Sequence, residues 1–127
     1  MTAAVSYNAE EHRDEVDAWC DGWRMQRFAP GWLPRTGVIV PGVACAWVYF
    51  TDSDLAIVEN VISNPESTRE ARGEALASIQ QTLESAARAR GARYLLGQSG
   101  NSNLLERVLE YGYVVTGEIR QFVKVLQ

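Results

Sequence analysis

The sequence predicts one α/β domain, of the α+β kind, in which helices flank a mixed β-sheet. Its 127 residues are enough for one hydrophobic core and too few for two. Short apolar runs typical of strands are interspersed with longer segments whose apolar residues recur at helical spacing. Proline, glycine and small polar residues separate these segments, as expected for turns and loops between packed elements.

The predicted order of elements is β-α-β-β-β-α-β-α-β. The run at residues 43–50 is almost entirely apolar, which predicts a strand buried on both faces of the sheet. At the C-terminus, residues 113–115 and 119–126 form one bent strand or two. The other strands are expected at residues 3–7, 38–40, 55–62 and 94–96.

Caps and apolar spacing predict three helices. Asn8 is a preferred N-cap residue for the first helix. Ser67-Thr68-Arg69-Glu70 matches a capping box, with the serine accepting from the backbone of the second helix. The third helix begins at Asn101 or Ser102. The helices are expected to end near Met25, Gly91 and Gly112.

Composition excludes several classes of function. The net charge of −4 gives no reason to expect nucleic acid or anionic lipid as a partner. No apolar run is long enough for a membrane span, and the N-terminus does not resemble a signal peptide. One histidine, His12, and two distant cysteines make no metal-ligand set, so no metal is expected. Cys20 and Cys45 lie in apolar patterns, which favours buried free thiols over a disulfide. Free thiols are typical of a reducing compartment, so a cytoplasmic protein is expected.

The most informative segment is residues 64–76, where an apolar strand ends and a long helix begins. The first N–H groups of a helix lack intrahelical partners and carry partial positive charge, so such a turn can hold an anion. Small residues at Ala71 and Gly73 permit close approach of the backbone, and Arg69 and Arg72 can add charge. Three glutamates in the segment oppose an anion, and a helix that is simply well capped is the alternative interpretation.

The segment resembles the acyl-CoA pyrophosphate loop of the GNAT family, the GCN5-related N-acetyltransferases. The family signature is a glutamine or arginine, two residues, a glycine or alanine, one residue, and another glycine or alanine. Ala71 and Gly73 match the two small positions, whereas Thr68 stands where the basic or amide side chain is expected.

The downstream helix is also similar to the family pattern. Asn101 matches an asparagine at its start, and Gly112-Tyr113 and Gly117-Glu118 match the Gly-Phe and Gly-Glu pairs that follow it. Val108 occupies the position of a tyrosine that usually serves as the acid for the departing thiolate. Tyr49 or Tyr111 is a candidate for a displaced acid.

The resemblance implies a GNAT-like domain over residues 1–127, with a mixed, mostly antiparallel central sheet. It implies an N-acetyltransferase that uses acetyl-CoA as co-substrate and acts on an unidentified amine acceptor. It also allows a homodimer. The residues implied in cofactor binding are Ile62, Ser63, Thr68, Arg69, Ala71, Arg72, Gly73 and Asn101.

Glu59 is the candidate general base, because some family members use a glutamate on the corresponding strand. A partly buried carboxylate could have its pKa raised toward the working pH. The alternative is a glutamate on the solvent face of a strand. Trp32 and Arg35 lie in a loop rich in proline and glycine, where Trp32 forms either a substrate-site wall or a partner contact.

A non-catalytic GNAT-like binding or structural module is the rival prediction, favoured by the departures at Thr68 and Val108. The short chain and residues 62–67 look similar to small GNAT-like proteins encoded by bacteriophages. For such a protein the location would be the host cytoplasm or the virion.

Overall fold

The protein is a five-stranded sheet with a long helix packed on each face. The computed structural model describes residues 3–99 and 101–126. The elements in chain order are β1 (Val5–Ser6), α1 (Ala9–Gly22), β2 (Thr36–Val40), β3 (Ala44–Phe50), β4 (Leu55–Ser63), α2 (Arg69–Ala89), β5 (Tyr94–Gly97) and α3 (Ser102–Glu110). Up to α3 this is the predicted order.

The five strands lie side by side in chain order. The pairs from β1 to β4 are antiparallel, and β5 runs parallel to β4. Parallel neighbours need a long crossover, and α2 supplies it between β4 and β5. The predicted fold class, a mixed and mostly antiparallel sheet flanked by helices, is confirmed.

Side chains of the central strands alternate between two buried clusters, one under each helix. Val38, Ala46 and Val48 pack against the buried face of α2. Ile39 and Trp47 pack on the opposite face against α1. The prediction that the apolar run at 43–50 is buried on both faces is therefore confirmed, since β3 feeds both clusters.

The caps differ from the prediction at two helix ends. Thr68, not Ser67, is the N-cap of α2, because its Oγ1 accepts from the Ala71 amide at 3.0 Å. The Ser67 hydroxyl instead donates to the Asn64 carbonyl at 2.6 Å, which directs this side chain at the preceding turn. Helix α1 stops at Gly22 rather than near Met25, because Arg24 adopts a positive φ of 58° that breaks the helical path.

The prediction of one or two C-terminal strands is wrong. Within the described part of the chain, residues 113–126 join no strand ladder. Their β-forming side chains face solvent, with Phe122 93% and Val114 79% exposed. Strand preference depends on packing against cross-strand neighbours, and the local pattern supplies none by itself.

Two further observations bear on the predicted class. Cys20 and Cys45 are both buried and free, which confirms the prediction of unpaired thiols. Among the described residues, no helix combines the length and the apolar character needed to cross a bilayer.

Candidate functional site

The sheet opens between β4 and β5. The two strands pair only from Leu55 with Tyr94 to Val58 with Gly97. Strand β4 then continues to Ser63, beyond the last of these pairs. Backbone groups of residues 59–63 on this side of β4 therefore face a gap rather than a neighbouring strand.

A β-bulge distorts β4 where the gap begins. Cys45 lies opposite Ile62 and Trp47 lies opposite Glu59, so β4 holds one residue more than β3 across this stretch. The extra residue is accommodated at Asn60, whose φ is 61°. Asparagine tolerates this left-handed conformation better than other non-glycine residues. Bulges bend a strand and change the direction of its backbone groups.

The bulge is tied to the loop that follows α1. The Asn60 side-chain amide donates to the Tyr49 hydroxyl at 2.8 Å. That hydroxyl in turn donates to the Trp32 carbonyl at 2.9 Å. The loop that carries Trp32 is thus anchored beside the bulge through the backbone of Trp32, and Trp32 is 39% exposed.

Glu59 directly precedes the bulge and is half-buried. Burial raises the pKa of its carboxyl group, and the nearby Asn60 backbone amide opposes that shift. Glu59 also lines the large cavity described next. Its position therefore differs from that of a fully solvated glutamate on an open strand face.

A cavity of about 1140 Å³ adjoins the gap. It is bordered by β4, β5, α2, α3 and the segment after α3, and Val108 and Tyr111 are among its lining residues. Tyr113 also lines it, and its hydroxyl donates to Gln80 Oε1 at 3.1 Å. Burial raises the pKa of both Tyr111 and Tyr113, which keeps each phenol protonated at neutral pH.

The turn before α2 is held by its own polar groups. The side chain of Asn64 accepts from the Glu66 amide at 2.9 Å and donates to the Gly42 carbonyl at 3.0 Å. One guanidinium nitrogen of Arg72 donates to the Ser67 carbonyl at 2.9 Å. Arg72 is therefore directed back at the turn.

The cap of α2 leaves the start of the helix open. The Ala71 amide donates to the Thr68 side chain, and the Arg72 amide donates to the Thr68 carbonyl at 3.0 Å. Among the described residues, the amides of Arg69 and Glu70 have no such partner. The Arg69 side chain is exposed beside them.

Helix α3 places a second arginine against the same helix. A Cβ added to Gly73 would lie 2.7 Å from Nη1 of Arg107. The guanidinium therefore occupies the space that a side chain at Gly73 would take. The sequence motif gave no signal for this contact, because the two residues are far apart in the chain and meet only through the packing of α3.

The remaining predicted site residues also have structural roles. The Ile62 side chain is buried in the cluster under α1. The Ser63 carbonyl accepts from the Trp23 indole nitrogen at 2.6 Å. Trp23 lies just past the end of α1 and is 48% exposed. Asn101 caps α3, since its side chain accepts from the Asn103 and Leu104 amides.

The structure brings some of the predicted residues together and separates others. Glu59, Val108 and Tyr111 line one cavity. The residues from Thr68 to Gly73 form the start of α2 and do not line that cavity. The first residue of α2 in the cavity lining is Leu76. His12 is buried in α1, where Nδ1 accepts from the Asn8 amide at 2.9 Å. No cluster of three potential metal ligands occurs in the described parts of the chain.

The chain is similar in structure to several acetyltransferases over nearly its whole length. A protein described as a probable acetyltransferase matches with a TM-score of 0.60 at 12% identity, covering 98% of this chain and 97% of that one. A Trypanosoma brucei acetyltransferase matches with a TM-score of 0.63 at 12% identity, covering 97% and 98%. A Pyrococcus furiosus protein named provisionally as an acetyl transferase matches with a TM-score of 0.61 at 14% identity, covering 95% and 99%.

The chain has an acetyltransferase fold. No protein-family model matches the sequence, and no curated protein matches it significantly. At identities of 12–14% the likeness establishes the fold alone. The function must therefore be argued from the gap, the bulge and the groups around them.

Proposed function

We propose that this protein is an N-acetyltransferase that uses acetyl-CoA as co-substrate and an amine as acceptor. The observation that carries the proposal is the gap beside residues 59–63 of β4, which begins at the bulge that contains Asn60. This gap offers an unpaired strand edge to an extended ligand. The two amides of a pantetheine chain can pair with such an edge, near Ile62 and Ser63.

The phosphate groups of CoA would lie at the start of α2. Helix N-termini favour anions through their free amides and dipole, and the amides of Arg69 and Glu70 are available. The turn between Thr68 and Gly73 would hold the pyrophosphate. The side chain of Arg69 is exposed beside it and can add charge to the site.

In the proposed reaction the acceptor nitrogen bonds to the thioester carbonyl carbon, and the carbon–sulfur bond then breaks. Glu59 takes the proton that the attacking amine must lose, for which its raised pKa is suited. The leaving thiolate takes a proton from a phenol in the cavity or from water, since Val108 has none to give. Tyr94, Tyr111 and Tyr113 line the cavity with Val108; Tyr94 is 61% exposed, which leaves Tyr111 and Tyr113 as the more buried phenols.

A non-catalytic acyl-CoA-binding or structural module is the second candidate function. Thr68 in place of a basic or amide residue, and Val108 in place of tyrosine, both favour it. A role in a bacteriophage particle would be one form of this second function. Retained ligand binding without acetyl transfer is the behaviour that separates this candidate from an enzyme.

The test combines ligand binding with turnover. A ligand present at 100 times its Kd should stabilise the fold by about 2.7 kcal/mol, which thermal unfolding detects. Acetyl-CoA and CoA should produce this shift, whereas ATP as a control nucleotide should not. Release of free thiol from acetyl-CoA is then followed with a panel of small amines and amine-bearing peptides.

Each outcome has one meaning. Binding with amine-dependent thiol release supports the enzyme. Binding without release from any amine favours the non-catalytic module. No thermal shift and no heat of binding with either CoA compound contradicts the enzyme and the acyl-CoA-binding module, and leaves a structural module.

A further inference from the structure

Arg107 reaches from α3 to the second turn of α2. Its Nη1 lies where a Cβ of residue 73 would be, 2.7 Å from that position, and its Cζ lies 3.7 Å away. Arg107 is half-buried, so this contact is more than a solvent-exposed side chain passing over the helix. The contact is possible because residue 73 is glycine.

The guanidinium of Arg107 is not paired with a carboxylate in the part of the chain that the structure describes. None of the described carboxylates lies within salt-bridge distance of it, and no described group hydrogen-bonds to it. Arg88, farther along α2, instead pairs with Glu84 at 3.0 Å. A partly buried guanidinium without a carboxylate can bind a phosphate through two parallel hydrogen bonds.

We propose that Arg107 supplies the positive charge that binds the CoA pyrophosphate at α2, replacing the basic or amide residue that Thr68 displaces. This inference rests on the proposed function. The Thr68 side chain is occupied by the helix cap, and the Arg72 guanidinium is held by the Ser67 carbonyl. The replacement cation therefore comes from a different helix.

Gly73 has a specific role in this arrangement. Glycine is a poor choice for the interior of a helix, because it gains conformational freedom in the unfolded chain. Here its missing side chain gives Arg107 the space to lie against the second turn of α2. Any larger residue at position 73 would displace the guanidinium.

The first test measures the affinity of the full-length protein for CoA and for pantetheine, which lacks phosphate. Arg107→Gln should weaken CoA binding about 10-fold to 100-fold, as expected for a lost charge-assisted hydrogen bond, and leave pantetheine binding unchanged. The CoA affinity of Arg107→Lys should lie between those of the native protein and Arg107→Gln, because lysine keeps the charge but loses the forked geometry. Arg88→Gln is the matched control and should change neither affinity.

A second ligand locates the contact on CoA. Arg107→Gln should weaken the binding of 3′-dephospho-CoA, which retains the pyrophosphate, by the same factor as it weakens the binding of CoA. If the loss disappears with that ligand, Arg107 contacts the 3′-phosphate and the pyrophosphate assignment is wrong. Circular dichroism of each variant confirms that the fold is intact before affinities are compared.

The third test is a double-mutant cycle between Gly73 and Arg107. Gly73→Ala should weaken CoA binding in the native background and have little further effect in the Arg107→Gln background. Additive losses would overturn the claim that Gly73 acts through Arg107. Equal CoA affinity of native protein and Arg107→Gln would overturn the inference alone, whereas no CoA binding by the native protein would overturn the proposed function first.

Discussion

The bulge at Asn60 can be tested by replacing one residue in two ways. Asn60→Gly keeps a residue that adopts a φ of 61° easily, but removes the hydrogen bond to Tyr49. Asn60→Val removes the same hydrogen bond and also places a β-branched residue in a left-handed conformation. The difference between the two variants therefore isolates the cost of the backbone conformation.

The expected magnitudes follow from these two contributions. The hydrogen bond from Asn60 to Tyr49 should contribute about 0.5–1.5 kcal/mol to the free energy of unfolding. A left-handed conformation costs a side-chain-bearing residue about 1–2 kcal/mol more. Asn60→Gly should thus lose about 1 kcal/mol, and Asn60→Val about 2–3 kcal/mol.

A rearrangement would not rescue the valine variant. Removing the bulge would shift residues 61–63 by one position and turn Ile62 away from the core, where it is 4% exposed. Exposing a buried isoleucine costs about 1.5–3 kcal/mol, which is no less than the strain that it relieves. Both routes leave Asn60→Val less stable than Asn60→Gly.

The difference in the free energy of unfolding is measured by urea and thermal unfolding of the native protein and both variants. Circular dichroism monitors the loss of structure. The melting temperatures of the two variants should differ by about 3–8 °C. Acetyl-CoA affinity should be retained by Asn60→Gly, which keeps the bulge, and should fall in Asn60→Val where valine removes the bulge and alters the strand edge. Equal stability of the two variants would refute the constraint at position 60 and the bulge argument built on it.

Three further predictions use other contacts. Because Glu59 must be ionised to accept a proton, the rate of acetyl transfer by the native protein should increase as pH rises through the raised pKa of Glu59. Glu59→Gln should remove this increase from the plot of rate against pH. Because its pKa is raised in the folded protein, Glu59 lowers the free energy of unfolding as pH rises above the ordinary pKa of 4.5. In urea titrations above that pH, the stability of Glu59→Gln relative to the native protein should therefore increase. Val108→Tyr should speed thiol release without changing CoA affinity, provided circular dichroism shows a folded protein; unchanged turnover would place the acid elsewhere. Gly37→Ala should destabilise the fold by about 1–3 kcal/mol in urea unfolding, because the new Cβ would lie 2.3 Å from the Trp47 indole nitrogen. Gly97→Ala, with 3.7 Å to its nearest atom, is the control and should be nearly neutral.

The part of the fold that the sequence predicted is the part set by local patterns. The alternation of strands and helices, the burial of the 43–50 run and the helix end at Gly91, whose φ is 88°, all follow from spacing and turn chemistry. The C-terminal strands could not be predicted in the same way. Their residues favour extended structure, but a strand forms only where a partner edge accepts it, and that depends on tertiary packing.

The site was less predictable because its decisive features are relations between distant residues. Arg107 meets Gly73 only through the packing of α3 against α2. The bulge at Asn60 depends on the register between β3 and β4. No spacing rule in one chain segment contains this information, although an asparagine within an apolar strand is a weak signal for a bulge.

The two departures from the family pattern have a common physical interpretation. Thr68 lacks the basic or amide group, but Arg107 comes to the second turn of the same helix from α3. Val108 lacks a phenol, but Tyr111 and Tyr113 line the same cavity with protonated hydroxyls. A binding site needs a chemical group at a position in space, and a different element of the chain can supply it. The two missing motif residues therefore weigh less against catalysis in the folded protein than they do in the sequence.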